Sequence, residues 1–194
     1  VALTGGSLGN PSFTFIGGDG SHRAFLGEGW ATAGEAYQLS VQQTGFPMAI
    51  ATQVMPPMPV IEEASAEEDG AFSEDGERLD AVEIEIVDPS GDHYYAIQAR
   101  VEQDIIQPGG DTTVSSYSIW LDSSDPILSQ AFIRNEAALI CTDDAFDNRS
   151  YRFLAYTFER LPFEDTNSRL IITVTGLSRD AYLYMRSLEQ YNQA

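Results

Sequence analysis

The sequence contains no lysine. Its 194 residues carry 10 basic side chains, every one an arginine, against 30 acidic ones, for a formal net charge of −20. Nucleic acid and anionic membrane surfaces are therefore poor partners, because binding either relies on Lys and Arg neutralising phosphates. Were Arg and Lys equally available, ten arginines in succession would arise about once in a thousand sequences, so codon usage or selection against lysine is at work. An acidic excess of this size suits a chain working in molar salt, where self-repulsion is screened over a few ångströms. A halophilic source is the expectation, with an ordinary acidic secreted protein as the alternative.

Cysteine is almost as scarce. A single residue, Cys141, excludes an internal disulfide and a cysteine-rich zinc site. Its neighbours Leu139, Ile140 and Thr142 suit a small buried apolar position better than a reactive thiol. Long apolar runs are missing too: nothing approaches the roughly 18 residues of a membrane helix. The opening VALTGGSLGN has neither the basic segment nor the apolar core of an export signal, so any such signal lies outside this sequence. The two histidines, His22 and His93, stand in strand or turn contexts without a Ser or Cys elbow, and GxSxG and HExxH do not occur, so a hydrolase triad is not expected. GGDG at 17–20 joins two β runs and reads as a hairpin turn.

What the sequence does have is alternation with period two. AYQLSVQ at 36–42 sends Tyr37, Leu39 and Val41 one way and Gln38, Ser40 and Gln42 the other. Val82, Ile84 and Ile86 likewise oppose Glu83 and Glu85, DPSGD at 88–92 supplies turn chemistry, and HYYAIQARV at 93–101 resumes the β pattern. Further β runs fall at 13–16, 23–26, 48–54, 117–121, 151–158 and 169–175, punctuated by Gly, Pro and Asp. About nine short strands of this kind predict an all-β fold, an antiparallel β-sandwich. At the end of the chain Ser178 caps a predicted short C-terminal helix of about three turns, whose stripe is Ala181, Tyr184, Leu188 and Tyr191. Residues 126–138 are read as a second short helix.

Three regions follow from these patterns. Residues 1–57 form a partial N-terminal β unit, thin for a sandwich and expected to be completed by strands encoded upstream. Residues 58–80, acidic and led by Pro56, Pro57 and Pro59, read as a linker or loop. Residues 81–194 form a second β-sandwich domain carrying the helix.

GEAYQLSV at 34–41, an Ala/Thr strand leading into MPPMPVI, the hairpin IEIVDPSGDHYYAIQARV, the loop CTDDAFDNRSY and the closing LIITVTGLSRDAYLYMRSLEQY, taken in order over residues 27–191, carry a resemblance. The chain resembles the family called domain of unknown function 4249 (DUF4249), outer-membrane lipoproteins of Bacteroidota and their relatives. The resemblance implies an immunoglobulin-like unit ahead of the second β domain. It also implies export and lipid anchoring at the outer membrane or cell surface, and association with a TonB-dependent transporter and nutrient uptake. The signal, the lipidated cysteine, the first strands and a Gly-rich C-terminal segment of that family are not in this sequence, so contact with a membrane through a lipid anchor is an expectation for the full-length form.

No cofactor is expected. The loop CTDDAFDNRSY is a candidate for calcium through Asp143, Asp144, Asp147 and Asn148, because Ca²⁺ tolerates irregular oxygen sets. As an EF-hand it fails: counted from Asp143, position 3 is Ala145, position 6 is Asn148 and position 12 is Leu154. Turn formers and caps are the simpler reading of these residues. Candidates for recognition are aromatic: Trp120, out of phase with Ile119 and Leu121; Tyr94, opposed to Tyr95; and Trp30 in a Gly-rich loop. The functional expectation is a non-catalytic accessory or binding domain that contacts a transporter or another outer-membrane protein, or takes a glycan or peptide. The alternatives are a glycosidase-like surface hydrolase with a carboxylate pair and a structural adhesion module.

Overall fold

A computed structural model describes residues 2–5, 14–18, 23–26, 31–73, 75–107, 109–133 and 136–192. The chain divides into two compact units, Val1–Met58 and Pro59–Ala194.

In the first unit, β1 (Ala2–Gly5), β4 (Ala36–Val41) and β5 (Ala49–Val54) form an antiparallel sheet with β4 in the middle, while β2 (Thr14–Gly18) and β3 (Arg23–Leu26) pair as a hairpin with an irregularity between Phe15 and Gly17. Glycine at position 5 is required: its φ is +120°, and a Cβ there would stand 2.2 Å from the Ala36 carbonyl oxygen. Of the three residues expected inward on β4, Tyr37 is buried, whereas Leu39 and Val41 are exposed. The Tyr37 hydroxyl accepts from the Thr32 N–H at 2.7 Å and donates to Glu35 Oε2 at 3.0 Å, which fixes the entry to the strand.

The second unit holds β6 (Val60–Phe72), β7 (Arg78–Val87), β8 (Tyr94–Ile106), β9 (Thr112–Ile119), β10 (Ser129–Ile133), β11 (Glu136–Thr142), β12 (Ser150–Thr157), β13 (Ser168–Leu177) and α1 (Arg179–Asn192). One sheet runs β12-β7-β6; the other runs β10-β11-β8-β13, with β9 also paired to β8. All pairs are antiparallel. The fold is all-β and sandwich-like with one short C-terminal helix. The expected alternation on β7 holds: Val82, Ile84 and Ile86 are buried. Glu83 and Glu85 lie on the other face, where Arg152 of β12 reaches both. Tyr95, Ile97, Ala99 and Val101 of β8 and Leu139 of β11 meet them from the opposite sheet, and with Phe153 of β12 and the loop residue Phe146 they make the main core.

Three expectations are corrected. Residues 58–80 are not a linker throughout: Val60–Phe72 pair with β7 as a sheet-edge strand. Its registers shift between Ile61 and Glu63 and between Glu67 and Ala71, and Asp69 takes a φ of +54°. Bulges and exposed acids on an edge erase the alternation that marks an ordinary strand and discourage edge-to-edge pairing. Residues 126–138 are not a helix but contribute to the β10–β11 hairpin. There Ala138 to Cys141 are buried on both faces, since α1 covers one side and the core the other, and a strand buried twice shows an unbroken apolar run. Finally, α1 begins where expected, with Ala181 N–H donating to Ser178 Oγ at 3.2 Å, but it docks through Tyr182 and Met185 onto Tyr94, Ala96, Ala131 and Ile140. Tyr184 and Leu188 of the expected stripe point outward.

Candidate functional site

Two places in the second unit gather chemistry. The first is an aromatic surface. Trp120 follows β9, and its side chain faces away from the buried Ile119 and Leu121. Its backbone is held by Trp120 N–H donating to Glu159 Oε1 at 3.1 Å, and the nearby bridge between Asp122 and Tyr156 pins the segment to the end of β12. Phe132 projects from β10 beside the buried Ala131, and the Trp120 and Phe132 rings meet edge to face with centroids 5.4 Å apart. The pair stays open to solvent, Trp120 at 44% and Phe132 at 49%. Two large rings packed edge to face at the surface are the anchor type that protein and glycan interfaces favour.

The other aromatic candidates are placed differently. Tyr94 lies beneath α1, its ring 5.1 Å from that of Tyr182, so it serves as a docking point for the helix. Trp30 falls outside the described residues, as does His22.

The second place is one end of the sandwich, where Asp88 opens the turn after β7, His93 leads into β8 and Asp143 follows β11. Antiparallel pairing of β8 with β11, Tyr94 opposite Thr142, brings His93 and Asp143 side by side across 50 residues of sequence. His93 N–H donates to Asp143 Oδ2 at 2.8 Å, and Asp143 N–H donates to the His93 carbonyl at 3.2 Å. Asp88 is tied to the next loop, accepting from Asn148 N–H at 3.0 Å and donating its own N–H to the Arg149 carbonyl at 3.2 Å. The Tyr95 hydroxyl donates to Asp88 Oδ1. Both carboxylates are buried, at 2% and 3% exposure. His93 Nδ1 stands 3.5 Å from Asp88 Oδ1 and 3.4 Å from Asp143 Oδ2, buried and without a hydrogen-bond partner.

The electrostatics of this end are lopsided. Burial first, and then the Asp88 charge, push the Asp143 carboxyl above its ordinary range, against the opposing hydrogen bond from the His93 backbone. Burial and the bond to Asp88 raise the Tyr95 phenol. The adjacent Cys141 thiol is pushed up to about 12, mainly by burial and then by nearby carboxylates. It is neutral and inert at physiological pH, the small core residue its neighbours suggested. Among the described residues no arginine pairs with Asp88 or Asp143.

The four loop residues nominated for calcium do not converge. Asp143 joins the buried cluster, Asp144 accepts from the Thr142 hydroxyl at 2.7 Å, and Asp147 accepts from Gly91 N–H at 3.0 Å. Asn148 takes a left-handed turn conformation, φ +59°. Sequence reasoning missed Phe132, Asp88 and the role of His93. The D-x4-H spacing across the turn was visible, but the third member depends on strand register, which the sequence does not print.

The family model described as domain of unknown function (DUF4249) matches residues 19–194. No curated protein and no solved structure matches the chain.

Proposed function

The chain belongs to the DUF4249 family, and from that premise we propose that it is a non-catalytic accessory or binding domain of an exported, lipid-anchored protein at the outer membrane or cell surface. Its partner is a TonB-dependent transporter or another outer-membrane protein, and its role lies in nutrient uptake. The observation that supports the reading best is the solvent-facing Trp120 and Phe132 pair, whose rings pack edge to face while Glu159 holds the Trp120 backbone N–H. An exposed aromatic pair already packed ring on ring gives a partner a large apolar contact with few torsions to order. The acidic surface adds a second constraint: a docking partner presents Arg or Lys, or binds where salt screens the repulsion.

The test is capture of the full-length protein from detergent-solubilised native outer membranes at the organism's own salt, in the wild type and with Trp120→Ala plus Phe132→Ala. The expected result is a β-barrel transporter in near-equal amount with the wild type, lost from the variant while its unfolding temperature is unchanged. Recovery of the protein alone, or equal recovery with both forms, contradicts the proposal.

A further inference from the structure

The geometry points to a binding site for one small divalent transition-metal ion, Zn²⁺ or a close equivalent, held by Asp88, His93 and Asp143. It is independent of whatever partner the aromatic pair takes.

Candidate ligand atoms of the three side chains all lie within 4.8 Å of one another. The His93 Nδ1 gaps of 3.5 Å and 3.4 Å to the two carboxylate oxygens are long for N–H···O hydrogen bonds, which cluster at about 2.7–3.2 Å. In a tetrahedral shell with metal bonds of about 2.0–2.2 Å, neighbouring ligand atoms stand roughly 3.3–3.6 Å apart. The observed gaps fall in that interval. An independent sign is the orphaned nitrogen: His93 Nδ1 is buried, aimed between two carboxylates, and makes no hydrogen bond. A buried polar atom without a partner is costly, and metal ligation is one way such an atom is satisfied.

Charge gives the same answer. Asp88 and Asp143 bury two acids at one end of the sandwich, and among the described residues His93 is the only basic side chain facing them. Elsewhere this protein meets a buried acid with an arginine, as Arg160 does for Asp80. A divalent ion would neutralise the pair that has none.

The surroundings also resemble a supported ligand set. The Tyr95 hydroxyl and Asn148 N–H orient Asp88, and His93 N–H orients Asp143, so the carboxylates are aimed by hydrogen bonds before any ion arrives. Two oxygens and one imidazole nitrogen favour zinc or a neighbouring transition ion over Ca²⁺ and Mg²⁺, which prefer all-oxygen shells. Bound there, the ion would join the β7–β8 turn to the β11–β12 loop.

The test titrates Zn²⁺ into the chelator-stripped full chain, with millimolar Ca²⁺ present to occupy surface carboxylates. One equivalent is expected to bind, with affinity falling by more than the 10–100-fold cost of losing a supporting residue in His93→Gln and in Asp143→Asn. Asp144→Asn, next in sequence but outside the cluster, should leave binding unchanged. At Zn²⁺ a hundredfold above its Kd the folded-to-unfolded ratio of the wild type should rise about 100-fold. No bound equivalent in the wild type, or binding that survives His93→Gln, overturns the site. If the variants do not fold, zinc-edge X-ray absorption of the wild type decides: a nitrogen and oxygen shell with imidazole scattering supports it, and a sulfur-containing or all-oxygen shell overturns it.

Discussion

Asp80 shows how a chain with few cations satisfies a buried charge. Its carboxylate accepts from Leu161 N–H at 2.7 Å, from Asp69 N–H at 3.1 Å and from Arg160 Nη1 at 2.8 Å, and so fastens the turn after β12 to β7 and β6. Asp80→Ala leaves two backbone donors without their acceptor, that of Leu161 buried and that of Asp69 part-buried. The expected loss is about 2–4 kcal/mol in urea unfolding; a loss below about 0.5 kcal/mol would mean that water replaces the carboxylate. Single residues were legible in the sequence where a local rule governs them. The outward setting of Trp120 follows from its phase against Ile119 and Leu121, and the inertness of Cys141 follows from its apolar flanks. Phe132 and the cluster at Asp88, His93 and Asp143 were hidden, since each is assembled by residues far apart in sequence.

Among elements, β7 was plain because its two faces differ in chemical character, and β8 because its stretch from Ile97 to Glu102 alternates in the same way. The elements that were misread are those whose two faces are alike. β6 is exposed over most of its length, so its side chains do not alternate, and β11 is buried on both sides. α1 carries two apolar stripes, and the choice between them belongs to its receptor, the shallow surface of Tyr94, Ala96 and Ile140, which accepts Tyr182 and Met185. The docked face can be checked by substitution. Tyr182→Ala removes a buried ring and is expected to cost about 2–4 kcal/mol, whereas Tyr184→Ala should stay within about 0.5 kcal/mol. The reverse order would place the helix on its other face.

For the molecule as a whole, the excess of 30 acids over 10 arginines dominates. Arginines are used economically: Arg152 alone touches Glu63, Glu83 and Glu85. Such exposed pairs weaken in salt, but they are individually small and few beside the general repulsion that salt relieves. The unfolding temperature is therefore expected to rise between about 0.1 M and 3 M NaCl. An unchanged or falling value would assign the acidity to some cause other than life in salt.

The proposal that the aromatic surface meets an outer-membrane partner is tested most directly by photocrosslinking in cells that make the full-length protein. A photoreactive phenylalanine analogue is placed in turn at Trp120, at Phe132 and, as a buried control on the docked face of α1, at Tyr182. A covalent adduct with a β-barrel outer-membrane protein is expected from positions 120 and 132 and none from 182. No adduct from 120 and 132, with the protein folded and at the cell surface, would contradict it.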